Sequence, residues 1–544
     1  MNSLDQSISK FRHTQGDPLA MTGNQITKGR NLLNLFNLGK ASSVLILGEG
    51  CSAWKDIFPQ AQYCPSIRII TEGTDQFDLI LLDGSAAETA SELEDVLAQV
   101  RQRISEQGVL FLLAGNLFSF ERIKRLIKTG ALKKEKHLYR YDQIMKIVAR
   151  TSFPHLQIFL PFPGDDNDQR INEMIAPDSR FLEVPYYQHP IKRFAHSLGK
   201  YHLMHDRFAV LCMHKPLLQN ALFKKIRKAL YAVEESGEIG LRLEKCDIRD
   251  RGALVLFIKW IQENISSAYL VARVVHGPET KEIIERNHKY LVWLQNMEKL
   301  PDAVKKKIPQ PLAEFSFQEG HVFVETLIPG ILAWKVNNRK IKNKIYEDSM
   351  QFIFNFSMLT RQNKFLDEKI LDELFIEDER IINESKTCSG FLKKILSEEI
   401  ACIKDTIAGQ HIWLAASHGD YGYGNIMVDP STGNLKGVID WDTARYIDFP
   451  AIDLINMEIQ RRRIEQKMSI AEALNDVMMN YSKHSEKYER YFKIDYSLFV
   501  VLAHISLVRD ISRSLKYPAL YLKGQEEQIQ AMHIIKKKYP ITAQ

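Results

Sequence analysis

The chain is poor in cysteine, has no long apolar run and carries almost no excess of charge. Six cysteines stand in 544 residues, and no two form a C-x-x-C pair or a zinc-finger spacing. Disulfide frameworks belong to small oxidised domains, so these residues are expected to be reduced thiols in a cytoplasmic protein. The most apolar late stretch, Leu498 to Val508, is interrupted by His504 and Ser506 and is too short to span a bilayer. The opening residues, MNSLDQSISKFRH, have no apolar core and do not read as a signal peptide. Lys and Arg number 73 against 67 Asp and Glu, a net charge of +6. Spread over this length, that is too weak to call for nucleic acid or a membrane surface. The lysine clusters at Lys133, Lys134 and Lys136, at Lys305 to Lys307 and at Lys536 to Lys538 read as solvated faces or helix ends. Internal repeats and low-complexity tracts are also missing.

What remains is an ordinary globular balance, 45% hydrophobic and 26% charged, which excludes a disordered or fibrous chain. The length allows two large domains or roughly three to four small ones. In the first half, SVLILGEG (Ser43 to Gly50) is a buried strand running into a glycine turn. FDLILLDG (Phe77 to Gly84) is a second, followed by a helical pattern at Ala90 to Ser105 and the run VLFLLAGN after Gly108. This rhythm predicts a parallel α/β sheet. RFAVLCMH, Arg207 to His214, is another strand, and Leu217 to Val233 looks helical, so a boundary is expected near Lys215. The second half alternates between Gly240 and Trp260, with two strands around Arg251 and Gly252. YLVARVV (Tyr269 to Val275) is a third strand, Lys281 to Met297 a helix, and Pro311 to Thr326 two further strands ended by Ile328, Pro329 and Gly330. Helices dominate thereafter, apart from Ser417 to Asp442. The expected domains are 1–215, α/β, and 216–544, with a small β-rich lobe over about 216–329 and a helical lobe over about 330–544.

The most informative stretch is SHGDYGYGNIMVDPSTGNLKGVIDWD, Ser417 to Asp442. His418, Gly419 and Asp420 are followed five residues later by Asn425, then by a strand (Ile426 to Val428), a turn (Asp429 to Asn434) and a strand (Lys436 to Ile439) ending at Asp440. A tight turn between short strands brings Asn425 and Asp440 to one end of a hairpin. Hard oxygen ligands of this kind suit Mg²⁺, which binds few protein groups and completes its shell with water and phosphate. Asp420, on the preceding loop, is placed to accept a proton from a hydroxyl.

HGDYGYGN followed by VIDWD resembles the aminoglycoside phosphotransferase and choline kinase group, the small-molecule branch of the protein-kinase-like fold. The resemblance covers Leu217 to the C-terminus. It implies ATP and Mg²⁺, a small-molecule acceptor, Asp420 as catalytic base, Asn425 as a metal ligand and Asp440 as the main metal ligand. Asp453, in DFPAIDL, would brace the catalytic loop, while Asp442 reads equally as a metal or substrate contact and as an exposed strand-end acid. Arg273 stands where kinases place a phosphate-holding lysine, since the task is electrostatic. Glu282 and Glu285 are candidates to orient it, though their spacing matches poorly. Backbone groups of Glu325, Thr326 and Leu327 would hold the adenine at the hinge. There is no G-x-G-x-x-G, so the phosphate-covering turn would be Asp250 to Gly252. Neither D-F-G nor A-P-E occurs, so a protein-kinase activation segment is not recognisable. Trp441, Tyr421, Tyr423 and Tyr446 read as packing around the hairpin, with a cation–π box for an amine as the other reading.

VLILGEG followed by FDLILLDG resembles a class I S-adenosylmethionine-dependent methyltransferase, a Rossmann-like fold. The resemblance implies a backbone approach to the cofactor at Gly48 and Gly50 and a ribose contact at Glu72. Only G-x-G is present, the span from Gly50 to Phe77 is short, and Asp83 reads equally as a loop acid. Weak or absent S-adenosylmethionine binding is therefore expected, with a degenerate α/β domain that recognises a partner or substrate as the alternative. Three readings of the whole follow: a small-molecule kinase acting on a sugar, aminoglycoside-like compound or amino alcohol; a bifunctional methyltransferase–kinase; and a pseudokinase scaffold. The sequence leaves the oligomeric state open.

Overall fold

A computed structural model describes residues 43–49, 51, 55, 58–65, 75–84, 87, 89–116, 138–151, 153–163, 171–175, 207–213, 221–231, 239–248, 253–262, 268–275, 278–317, 320–385, 388–516 and 518–541. Gly50, Glu72, the lysines at 133–136, Lys215 and the turn Asp250 to Gly252 lie outside the described residues. The chain divides into two compact units. Among the described residues, one comprises those up to Glu282 and Pro311–Leu327, the other Ile283–Gln310 and the residues from Ile328 on.

The first unit is built on one mixed sheet. Its strands are β1 (Val44–Leu47), β2 (Gln62–Cys64), β3 (Phe77–Asp83), β4 (Ile104–Asn116), β5 (Leu138–Tyr139), β6 (His155–Pro163), β7 (Ile171–Ile175), β8 (Arg207–Met213), β9 (Ile239–Ile248), β10 (Leu254–Gln262), β11 (Ala268–Val275), β12 (Pro311–Phe317) and β13 (Gly320–Thr326). Their order is β12-β13-β11-β10-β9-β7-β6-β8-β4-β3-β1-β2, with β5 beside β4. β2, β1, β3 and β4 run parallel. β8 is antiparallel to both β4 and β6. FDLILLD is apolar on nearly every residue because parallel strands are covered on both faces. On one face Ile80, Leu82, Leu110 and Leu112 pack with Leu93, Val96, Leu97 and Val100 of α1 (Ala90–Arg103) and Ile144, Ile147 and Val148 of α2 (Tyr141–Arg150). Thr89 caps α1, its hydroxyl accepting from the Glu92 amide at 3.1 Å.

The alternating strands expected between 240 and 326 are β9 to β13, all antiparallel. Three pairs, Glu173 with Asp247, Met174 with Cys246 and Ile175 with Lys245, join β7 to β9 and make the two sheets one. The other face of the parallel strands (Leu79, Leu81, Phe111) shares a single core with Leu222, Phe223 and Ile226 of α3 (Ala221–Tyr231) and with Leu254, Leu270 and Val322. The apolar core thus runs on past residue 215.

The second unit is helical. α4 (Pro278–Asn296) carries residues of both units, and α5 (Asp302–Lys305) follows. Then come β14 (Ile331–Leu332), α6 (Arg339–Thr360), β15 (Gln362–Phe365), α7 (Glu368–Glu384), α8 (Gly390–Ile407), β16 (His411–Ser417), β17 (Ile426–Val428), β18 (Leu435–Val438) and β19 (Arg445–Asp448). The chain ends in α9 (Ala451–Gln466), α10 (Ile470–Met479), α11 (Ser482–Phe492), α12 (Tyr496–Lys516) and α13 (Pro518–Lys538). Asn338, Asp367, Ser389 and Ser469 cap α6, α7, α8 and α10 with side-chain acceptors. The apolar run 498–508 is the buried middle of α12, packed among the other helices. No single described helix is long and apolar enough to cross a membrane. Two small sheets, β14-β17-β18 and β15-β16-β19, frame the loops that hold the motif residues. All six cysteines are free thiols.

Candidate active site

The hairpin forms where the sequence places it. Asp429 Oδ1 accepts from the amides of Ser431 and Thr432, both at 3.0 Å, which turns the chain locally. β17 and β18 then pair Ile426 with Val438 and Met427 with Gly437. At the far end the Ile439 amide donates to the Asn425 carbonyl at 2.9 Å, so Asn425 and Asp440 are brought side by side. Asp440 takes a left-handed backbone, φ 67°, and its side chain is exposed. No hydrogen bond or ion pair to its carboxylate is found among the described residues.

The loop before the hairpin is held from beneath. Asp453, fully buried in the first turn of α9, accepts from the His418 and Gly419 amides at 2.7 and 2.9 Å. Burial pushes its carboxyl up to about 6, against the pull of His418 and the two amides. This is the bracing expected for Asp453. His418 is also buried. Its Nδ1 accepts from the Asp420 amide at 3.3 Å, so Nε2 carries the proton and donates to the Ile439 carbonyl at 2.9 Å. Gly419 has φ 80°, and a Cβ there would meet the Thr443 carbonyl at 2.3 Å. Only glycine fits this crossing of two loops.

Asp420 is the half-exposed centre of the loop. The Asn425 amide nitrogen donates to its carbonyl at 2.9 Å and to its Oδ2 at 3.1 Å, which leaves Asn425 Oδ1 as the free end of that side chain. Arg513 on α12 pairs with Asp420 Oδ1 at 2.9 Å. It also donates to the Gly419 carbonyl at 3.0 Å and pairs with Asp510 at 3.2 Å. The Gln460 amide reaches Asp420 Oδ1 at 3.5 Å. The sequence reading missed Arg513 and Gln460, which act across the helical lobe. Arg509 and Arg513 stand one turn apart on α12, but nothing in that spacing names Asp420 as a partner.

The aromatic residues settle into packing roles. Tyr421, Tyr423 and Trp441 are fully buried. The Tyr421 hydroxyl donates to the Ser349 carbonyl at 2.8 Å, and Trp441 Nε1 to the Val438 carbonyl at 3.0 Å. Tyr446 is half exposed and meets the rings of Tyr290 and Trp293 at 5.1 and 5.0 Å. Asp442 is buried rather than an exposed acid, and its carbonyl accepts from Arg286 Nε at 2.6 Å. Arg286 also binds Glu377 at 2.6 Å. Burial opposes ionisation of Glu377, yet Arg286, Lys516 and Arg445 hold its carboxyl down to about 2.

In the other unit, Arg273 lies on β11 and pairs with the buried Glu325 of β13 at 3.0 Å. The two stand diagonally on one face, because Arg273 is opposite Phe323 and Glu325 opposite Val271. Thr326 is opposite Leu270. The Leu327 amide donates to the Tyr269 carbonyl at 2.9 Å, so the sheet already engages that donor. Glu285 forms an ion pair with Lys289 at 2.5 Å. In the N-terminal sheet, Gly48 ends β1 with φ 90° and its amide donates to the Cys64 carbonyl at 2.9 Å. Asp83 ends the neighbouring β3.

The donor set fits a hard divalent cation: one exposed carboxylate, Asp440, next in sequence to Ile439, which pairs with Asn425, and the amide oxygen that Asn425 does not spend on Asp420. Among the described residues no group of three or more His, Cys, Asp or Glu is arranged to hold a metal. Such a cation would therefore take its remaining ligands from water and substrate phosphates.

Among solved structures, the chain is similar to an aminoglycoside phosphotransferase from Streptomyces rimosus, with 15% identity over 53% of this chain and 98% of that one and a TM-score of 0.34. It is also similar to a Plasmodium vivax ethanolamine kinase, at 12% identity over 65% and 95% with a TM-score of 0.35. An aminoglycoside phosphotransferase in complex with gentamicin matches at 13% identity over 58% and 96% with a TM-score of 0.32. No curated protein matches the chain. Residues 261–475 match the model of the phosphotransferase enzyme family, so the C-terminal half, with Asp420, Asn425 and Asp440, carries a phosphotransferase-family domain.

Proposed function

We propose that the protein is an ATP- and Mg²⁺-dependent phosphotransferase that phosphorylates a hydroxyl of a small molecule in the cytoplasm. The observation that carries this reading is the convergence of Asp420, Asn425 and Asp440 at one end of the β17–β18 hairpin. Asp440 and Asn425 Oδ1 would hold Mg²⁺, which, when bound, neutralises the transferring phosphates. Asp420 takes the proton from the acceptor hydroxyl as that oxygen bonds the γ-phosphorus and the bond to ADP breaks. Arg513 and Asn425 fix the direction in which the Asp420 carboxylate faces. The phosphates are assigned to Arg273, and the adenine to backbone groups of Glu325, Thr326 and Leu327. With the Leu327 amide engaged in the sheet, its carbonyl is the group left for that task.

The chain is read as two modules, 1–215 and 216–544. The first is assigned a Rossmann-like, methyltransferase-type fold with weak or absent S-adenosylmethionine binding. The glycine turn after β1 and the acid that ends β3, adjacent strand ends in a parallel sheet, support that fold. The test of the main reading is ATP turnover by the full chain against a library of sugars, aminoglycoside-like compounds and amino alcohols. Acceptor-dependent ADP release that needs Mg²⁺ is expected. No release with any acceptor, and no slow hydrolysis, favours a scaffold.

A further inference from the structure

The backbone at Asp440 is left-handed, and groups from α4 on one side and from the loop and hairpin on the other hold it so. A non-glycine residue at φ 67° carries a backbone cost, and at Asp440 hydrogen bonds on both sides meet it. On its C-terminal side, the Trp441 amide donates to Asn287 Oδ1 at 2.9 Å. One residue on, the Asp442 carbonyl accepts from Arg286 Nε at 2.6 Å. On its N-terminal side, Ile439 is held through its amide by the Asn425 carbonyl and through its carbonyl by His418 Nε2, both at 2.9 Å. Asn287 and Trp441 are buried, and Arg286 is anchored in turn by Glu377 at 2.6 Å.

We infer that Arg286 and Asn287 are positioning residues for the metal site: they clamp residues 441 and 442 so that Asp440 stays left-handed with its carboxylate beside Asn425. This rests on the phosphotransferase reading for the identity of the metal. Consecutive residues on a helix point about 100° apart, so one turn of α4 grips both a donor and an acceptor of the segment. In an unclamped chain, Asp440 relaxes toward the extended region, where an L-residue is more comfortable, and its carboxylate swings away from Asn425. Groups that orient metal ligands typically contribute ten- to hundredfold to metal affinity.

The test compares wild type, Asn287→Leu, Asn287→Asp and Arg286→Met in the full chain. ATP binding is followed by calorimetry across a Mg²⁺ titration, with hydrogen exchange of residues 439–442 measured without ligand. Asn287→Leu removes the acceptor at similar size, and Asn287→Asp keeps it. The Leu variant should need about ten- to hundredfold more Mg²⁺ for half-maximal ATP binding. Its 441 amide should exchange faster, and the Asp variant should restore both properties. Arg286→Met should shift the Mg²⁺ requirement in the same direction, and this part-exposed site reads the clamp if the Leu variant does not fold. An unchanged Mg²⁺ requirement in a folded variant overturns the clamp, as does equal weakening of ATP binding with and without Mg²⁺. Wild type that shows no Mg²⁺-dependent ATP binding instead overturns the phosphotransferase reading. In that case unaltered exchange at 441 in the Leu variant overturns the clamp separately.

Discussion

Replacing Asp453 by Asn separates what steadies the catalytic loop from what steadies the fold. The wild-type carboxylate accepts two buried amides, from His418 and Gly419. Burial nevertheless lifts its pKa from 3.8 to about 6. The folded chain thus holds this proton more tightly than the unfolded chain. Stability from the group is complete below pH about 4 and is lost as the pH rises through about 6. At about 1.4 kcal/mol per unit, ionised Asp453 costs the fold on the order of 3 kcal/mol at pH 8. Asparagine removes that penalty but keeps only one acceptor, so one buried amide is orphaned at about 1–3 kcal/mol. The two terms nearly offset. The Asn variant should lie within about 2 kcal/mol of wild type at pH 8 and fall behind it as the pH drops through 6. The orphaned amide frees the loop, and a displacement of about 1 Å at Asp420 lowers turnover by about a hundredfold. Urea unfolding at pH 8 and pH 5, with turnover measured on the same samples, checks this. A variant that keeps full turnover, or that loses more than about 4 kcal/mol at pH 8, refutes the argument.

Three other outcomes follow from the geometry. Arg273→Ala should weaken ATP binding by about ten- to a hundredfold, since a charge-assisted phosphate contact contributes roughly 1.5–3 kcal/mol. It also removes the 3.0 Å ion pair with the buried Glu325, so thermal stability should fall and should recover in Arg273→Met with Glu325→Gln, while ATP binding stays weak. Arg513→Met should reduce turnover with little change in Mg·ATP affinity, because Arg513 orients Asp420 and not the metal side; loss of nucleotide affinity instead would place it elsewhere in the mechanism. Gly419→Ala should lower both stability and turnover, because its Cβ would meet the Thr443 carbonyl at 2.3 Å; unfolding and turnover measurements that match wild type would show that the two loops do not cross tightly.

Much of the candidate site was legible because it is local. Asp420, Asn425 and Asp440 are separated by one loop and one hairpin, and the Asp429 turn closes that hairpin without help from the rest of the chain. The strands of the small lobe were legible from alternation, and those of the parallel sheet from runs apolar on every residue. Contacts made across long stretches of sequence were not legible. Arg513 approaches Asp420 from α12, and Asn287 approaches Trp441 from α4, and no local pattern announces either pairing. The helix after Tyr269 to Val275 offers Glu282 and Glu285 to Arg273 by sequence, whereas its guanidinium pairs with Glu325 on β13, an alignment across strands that no helical spacing encodes. The short strands β15 and β19 carry too few residues to show a period. β7, the strand that joins the two sheets, reads INEMI, which has no alternation to mark it.

The central claim is that Asp440 serves the metal and Asp420 serves the acceptor. The most direct test measures Mg·ATP affinity and turnover in Asp440→Asn and Asp420→Asn. Asp440→Asn should lose Mg²⁺-dependent ATP binding and turnover together. Asp420→Asn should bind Mg·ATP as wild type does and lose about 10²–10⁴ in rate. Equal losses of Mg·ATP affinity in the two variants would contradict the account.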